Sequence, residues 1–432
     1  KRQSHYDITW IKAKPLMKRR HSFEVSGRIT SRGEEYIPLD EAGVREVAER
    51  IAADARIEAV AVCLLFSYVT PVHERRVKEI FAEVCPGKPV SISYDVLPKW
   101  KEHERSSTTI ADAYIRPLVG GHLDSLKGRF IDQGVNKRIA VIKSNGGEMT
   151  LEAAANAPIQ LTLSGPTGGV VGAKQIARLA GVDHLVTLDM GGTSTDVSTV
   201  VDGRESFTTS FEIEFGVPIQ IPMIDIRTVG TGGGSIAWIG AEGQLRVGPK
   251  SAGAEPGPMC YPNGGDAPTI TDANAVLGRI PAQLIGGAIA LDVGRARAGL
   301  AELGKQLGGD MGPERLAAGI IEIANWNQAN LIRQMTIEQG IDPRQFALLS
   351  FGGSGPAQSP AVMELLGLDA CLVPPNPGNL SALGLLMVDY RSDHVFTQIV
   401  SGDQLSPGMA AGIYSDLERD AAETLARDGV AA

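Results

Sequence analysis

The chain is 432 residues long, 43% hydrophobic and 21% charged, with a formal net charge of -9. That length allows about two to four domains with large cores, and the acidic balance argues against a nucleic-acid-coating surface, which needs a basic face. No apolar run approaches the ~18 residues that span a bilayer, and Cys63, Cys85, Cys260 and Cys371 form no Cys-x-x-Cys pair. A thiol-reducing cytoplasm is therefore expected, with no disulfide framework and no structural zinc.

In chain order, Leu39–Ala53 reads as an amphipathic helix opened by Asp40 and Glu41, and Ala59–Phe66 as a buried strand. Pro71–Val84 is a second helix and Pro89–Ser93 a second strand, which together make an α/β layer. Lys101–Phe130 is helical, with Pro117 expected to start a new segment. A short strand, Ile139–Lys143, ends in the turn Ser144-Asn145-Gly146-Gly147. Ser164-Gly165-Pro166-Thr167-Gly168-Gly169 then opens a small-residue helix reaching Ala180.

The most informative stretch follows. Leu185–Leu188 leads into Asp189-Met190-Gly191-Gly192-Thr193-Ser194-Thr195-Asp196, and Val197–Val201 leads out. This is strand, tight turn, strand, with an acid on either side of the glycines. Glycine permits close approach of a phosphate to the main chain, successive amides form an anion cradle, and carboxylates hold Mg²⁺, usually through water. A hairpin with Gly-Gly at its tip is the alternative that these residues alone leave open.

Two further glycine segments occur. Val229-Gly230-Thr231-Gly232-Gly233-Gly234-Ser235 is a second turn, and Gly352-Gly353-Ser354-Gly355-Pro356 follows the strand Phe346–Phe351 and opens a helix to Leu366. Between them lie a Pro- and Gly-rich loop, Gly248–Asp272, and a long helix, Pro313–Gln339, stopped by Gly340. A last helix runs from Ser406 to Ala426. No glycine segment has the Walker or the dinucleotide-binding spacing. Asp272 reads as a metal or substrate carboxylate, with capping of the turn Ala273–Leu277 as the alternative.

The order of these segments resembles the actin, sugar kinase and heat-shock ATPase superfamily. More narrowly, the chain resembles the hydantoinase A/5-oxoprolinase family, which includes N-methylhydantoinase A and the ATP-binding subunits of acetone and acetophenone carboxylases. The matching segments are Glu104-Arg105-Ser106-Ser107-Thr108-Thr109, Ser144–Gly147, Ser164–Pro166, Gly232–Ala237, Gly248–Pro258, Thr271–Asn274 and Pro374–Gly384.

The resemblance implies a two-lobed actin-like (ribonuclease-H-like) α/β fold. It implies domains at 1–104, 105–398 and 399–432, of which the first and last are expected to be incomplete. The superfamily's Asp-x-Gly-Gly-Thr loop does not occur before Tyr6 and there is no initiator Met, so the N-terminal phosphate-loop portion is expected to be missing. The activity implied is ATP-dependent hydrolysis of a cyclic amide after phosphorylation of its oxygen, with ATP and Mg²⁺ as cofactors, a B-type partner subunit, an oligomeric assembly and no membrane or nucleic-acid partner.

Ketone carboxylation, a small-molecule kinase and a non-catalytic ATP-gated regulator are the alternatives. Asp189 and Asp196 are the implied catalytic acids, and Asp189 and Asp272 the implied metal carboxylates. Gly191, Gly192, Thr193 and Ser194 would hold phosphate, and Gly232, Gly233, Gly234, Gly352, Gly353 and Gly355 would line the nucleotide site. Gln358 stands where many relatives place His.

Overall fold

The computed structural model describes residues 11, 14–135, 139–214, 216–308, 311–400, 402 and 406–427. The lead-in before Tyr6 therefore lies outside the described residues. The chain divides into two compact units: the first takes 1–164, 207–223 and 389–432, and the second 165–206 and 224–388. The first unit draws residues from all three of the segments 1–104, 105–398 and 399–432.

In the first unit, helix α1 (Glu41–Ala53) is capped by Asp40, whose side chain accepts from the Gly43 amide. Val44, Ala48 and Ile51 recur at helical spacing and are buried on one face. They meet Val77, Ile80 and Phe81 of α2 (Val72–Val84) over the parallel strands β1 (Val60–Val62) and β2 (Val90–Ile92). Strand β1 is shorter than the apolar run Ala59–Phe66: the Leu64 amide donates to Glu74 Oε1 at 2.8 Å, outside any ladder, and Phe66 takes a left-handed conformation (φ 59°) in the turn that follows.

Helix α3 (Glu102–Asp132) is continuous through Pro117, where a break was expected. Tertiary packing overrides the missing amide: buried residues of the helix lie on both sides of Pro117, from Arg105 to Leu123.

The second unit is built on a six-stranded sheet. After helix α4 (Ser164–Leu179) come β3 (Leu185–Met190), β4 (Thr195–Val201) and β5 (Ile226–Val229), an antiparallel meander. The hairpin β6 (Ser235–Ile239) and β7 (Leu245–Ser251) is followed by helices α5 (Ile270–Val276), α6 (Val293–Gln306) and α7 (Pro313–Glu338). Strand β8 (Ala347–Phe351) then pairs parallel to β3, helix α8 (Gly355–Leu366) crosses back, and β9 (Cys371–Leu372) pairs parallel to β8. Five strands follow the spatial order β5-β4-β3-β8-β9, the ribonuclease-H-like arrangement expected of this α/β class, and the sixth, Arg204–Glu205, pairs with the end of β4.

Strand β3 shows no polar–apolar alternation because both of its faces are covered. Leu185 packs with Val170, Val171, Ala173 and Ala177 of α4, whereas Val186 and Leu188 pack with Ala329, Ile332 and Met335 of α7 and Val362 of α8. A short helix α9 (Leu380–Leu385) lies against α4, and helix α10 (Pro407–Arg427) belongs to the first unit.

Gly168 and Gly172 of α4 and Gly384 of α9 share one purpose. A Cβ on Gly168 would stand 2.8 Å from the Ser381 carbonyl oxygen, and one on Gly172 would stand 2.9 Å from that of Leu380. A Cβ on Gly384 would collide with the Gly168 carbonyl. Backbone therefore packs on backbone, which only glycine permits. Gly384→Ala is expected to destabilise the protein by about 1–3 kcal/mol. Denaturant unfolding at constant m-value checks this, and an unchanged midpoint refutes the contact.

Candidate functional site

Strands β3 and β8 run parallel, so their carboxyl ends share one edge of the sheet, where ligands bind in open α/β sheets. Asp189 lies at that end of β3. Across the ladder it faces Asp196 of β4 on one side and Phe351 of β8 on the other. The turn between the two acids is closed by the Gly191 amide donating to Ser194 O at 3.1 Å.

The other two glycine segments meet this turn. Gly233 N donates to Gly191 O (3.0 Å) and Gly234 N to Gly192 O (2.6 Å), so the second turn lies against the first. A Cβ on Gly232 would stand 2.6 Å from the amides of Thr193 and Ser194, which excludes any side chain there. From the third segment, Ser354 N donates to Met190 O at 2.9 Å. Gly352, at φ +80°, passes so close that a Cβ would stand 2.5 Å from Asp189 Oδ1.

The residues expected to hold nucleotide thus come together but take different parts. The amides of Gly192, Thr193 and Ser194 donate to no acceptor among the described residues. Added Cβ atoms at Gly191, Gly192 and Gly353 would meet open space. By contrast, Gly232, Gly233 and Gly234 are buried and their amides are committed to Ser235 Oγ, Gly191 O and Gly192 O. They support the first turn and present no donor, a correction to their expected place as lining. Gly355 is also buried, opening α8, with its Cβ position 2.9 Å from Ser350 Oγ.

Asp272 is corrected as well. Its carboxylate is fully buried and accepts from Cys260 N (2.7 Å), Met259 N (3.1 Å), Thr269 N (2.8 Å) and Thr269 Oγ1 (2.7 Å). It forms a capping box with Thr269 at the start of α5. With four donors on two oxygens, it is a structural brace for the Pro- and Gly-rich loop, not a metal carboxylate.

Both remaining acids are uncomfortable as anions. Partial burial, then the nearby Asp196 charge, push the Asp189 carboxyl up to about 6, against a lowering by the Ser381 hydroxyl. Burial likewise raises Asp196, offset by the Thr228 hydroxyl, which donates to its Oδ1 at 2.5 Å. Such a pair suits a hydrated divalent cation, which would neutralise both charges and keep its own water. Among the described residues no three His, Cys, Asp or Glu side chains gather as a self-sufficient metal site. The donor set therefore fits an ion that takes its remaining ligands from water and from an anion on the free amides.

Ser381, Thr228, Thr195 and Gln328 were not among the sequence-based candidates. Ser381 lies within the Pro374–Gly384 motif, which was legible as a motif but not as a partner of Asp189. Gln358, where many relatives carry His, is buried on α8 with neither amide atom hydrogen-bonded.

The chain matches the hydantoinase/oxoprolinase family over residues 105–394 and the hydantoinase/oxoprolinase N-terminal region over residues 1–85. It belongs to the hydantoinase/oxoprolinase family. It is 34% identical over 394 residues to the caprolactamase subunit alpha of Pseudomonas jessenii, covering 91% of this chain and 56% of that one. The crystal structure of the ATP-dependent caprolactamase from Pseudomonas jessenii superimposes with a TM-score of 0.83 at 32% identity, over 99% of this chain and 62% of that one. Nucleotide-free acetone carboxylase superimposes with a TM-score of 0.77 at 29% identity, over 94% and 59%. The chain thus spans little more than half the length of these relatives.

The raised acids make a thermodynamic prediction. An acid that holds its proton more tightly when folded favours folding below pH ~4, and that contribution is lost as pH rises through about 6. Asp189→Asn should therefore raise Tm at pH 8 and have a smaller effect at pH 5. Mg²⁺ should raise the wild-type Tm at pH 8 more than that of the variant. A Tm difference independent of pH would show that Asp189 is not strained as an anion.

Proposed function

We propose that this chain is the ATP-binding part of an ATP-dependent cyclic amide hydrolase of the hydantoinase/oxoprolinase type. The observation that carries the reading is the meeting of three glycine segments at the carboxyl end of β3. Unpaired amides from 192 to 194 adjoin two carboxylates there, raised chiefly by burial. Anion donors beside a cation site are the complement of a metal-bound polyphosphate.

ATP supplies a phosphoryl group that turns the poorly reactive amide oxygen into a leaving group, and Mg²⁺ supplies the neutralising charge. The chain's own residues position and polarise. The amides of Gly192, Thr193 and Ser194 bind the phosphate oxygens. Asp189, ionised above about pH 6, and Asp196 orient the hydrated cation. Gly353 leaves room for the nucleoside beside the start of α8.

A partner subunit, of the B type that the family resemblance implies, then completes hydrolysis. The naming of the Pseudomonas jessenii relative as a subunit alpha is consistent with that division. Its caprolactam ring, a cyclic amide, supports the substrate class. The similarity to acetone carboxylase favours one second reading, ATP-dependent carboxylation of a ketone. No helix among the described residues is long and apolar enough to cross a membrane; the cytoplasmic reading rests on four cysteines that stay as free thiols.

The test is phosphate release by the chain with its co-purified partner, using hydantoin, 5-oxoproline, caprolactam and ketones with bicarbonate. A cyclic amide is expected to stimulate release. Stimulation by a ketone with bicarbonate alone would select carboxylation, and release indifferent to every substrate would refute both.

Asp189→Asn is expected to lower ATP turnover by about two orders of magnitude or more, the scale of removing one electrostatic contact to the transition state, with the circular dichroism spectrum unchanged. Gly192→Val should fill the open space over the turn and weaken ATP binding measured by calorimetry. Unaltered affinity would remove Gly192 from the phosphate site.

A further inference from the structure

We propose that Gln328, in the middle of α7, is the positioning residue that sets the direction of the phosphate-binding amides. The inference rests on the ATP reading and goes beyond it by assigning the orientation of the turn to one buried side chain.

Met190 and Thr195 are ladder partners and form the last rung before the turn 191–194. Gln328 is fully buried, and its amide nitrogen lies 2.9 Å from Thr195 Oγ1 and 3.1 Å from Met190 Sδ. One NH₂ group therefore grips both ends of the rung. The Thr195 hydroxyl has a single proton, and it donates that proton to Thr231 O at 2.5 Å. Thr195 Oγ1 is thus an acceptor toward Gln328, as is the Met190 thioether. Only the orientation with nitrogen toward both satisfies the site, and it leaves Oε1 without a partner.

The result is a directed chain, Gln328 amide to Thr195 hydroxyl to Thr231 carbonyl, which fastens the first turn to the second. Asn327 Nδ2 adds a contact at 3.3 Å to Thr231 Oγ1. A 26-residue helix, packed in the core, supplies the rigid anchor. Hydrogen bonds in such a chain polarise one another.

Burying an unpaired Gln oxygen is unfavourable. A residue needed only to fill space would be met as well by Met or Leu. The amides at 192–194 are the groups that gain from the arrangement: their direction is fixed by the rung from which the turn springs. Loss of the chain should leave the fold standing and let the turn twist.

The test is calorimetry on the full chain with two probes, ATP with Mg²⁺ and adenosine alone. The wild type is expected to bind ATP more tightly than adenosine. Gln328→Met and Thr195→Val, each nearly isosteric, should weaken ATP binding about tenfold, the loss of one positioning hydrogen bond, and leave adenosine affinity unchanged. The double variant should be no weaker than the weaker single variant, because both break one chain.

Equal losses for ATP and adenosine, or unchanged ATP affinity in the variants, would overturn the role of Gln328 and leave the ATP reading intact. A wild type that binds ATP no better than adenosine would overturn the ATP reading and this inference with it. Should Gln328→Met fail to fold, Thr195→Val carries the comparison alone.

Discussion

Covering β3 on both faces is the constraint from which the site follows. Helix α4 closes one face and helices α7 and α8 the other, so the strand is apolar except for the buried Thr187, and its one ionisable side chain, Asp189, lies at the carboxyl end. The carboxyl end of the strand is where the layers stop and where backbone groups can face a ligand. An acid in that position is half-withdrawn from water. Its raised proton affinity follows from the layering before any ligand is considered.

Glycine acts here in two physically separate ways. At 232, 352 and 384 its lack of a Cβ lets main chain lie on main chain, and the neighbours that a side chain would strike are protein atoms. At 191, 192 and 353 the same absence leaves space facing outward. The first kind builds the platform and the second leaves it open. Both kinds look alike as letters, since each is a small residue in a turn.

For that reason the sequence reading was uneven. The hairpin around residue 190 and the α/β order were legible because buried strands leave short continuous apolar runs and amphipathic helices leave periodic ones. The meeting of the three glycine segments was expected from their order. The division of labour among them was not, because it depends on which amides find partners, and those partners lie tens of residues away. Asp272 carried two readings, and the four donors around its carboxylate decided for the cap. Pro117 misled because local propensity predicts a break that packing on both sides of it overrides.

What the amino-acid sequence by itself determined was the set of chemically capable groups: two acids flanking a glycine turn, two more glycine turns, and a family resemblance carried by short motifs. These are local properties, written in neighbouring residues. Only the tertiary structure decided which acid is buried under four donors, which amides lack a partner among the described residues, and that Ser381, Thr228 and Gln328 reach the strands and acids that flank the turn. Hydrogen bonds between residues so far apart in the chain, as Asp196 and Thr228 or Thr195 and Gln328 are, leave no periodicity, because their geometry exists only once the sheet has brought distant segments to one edge.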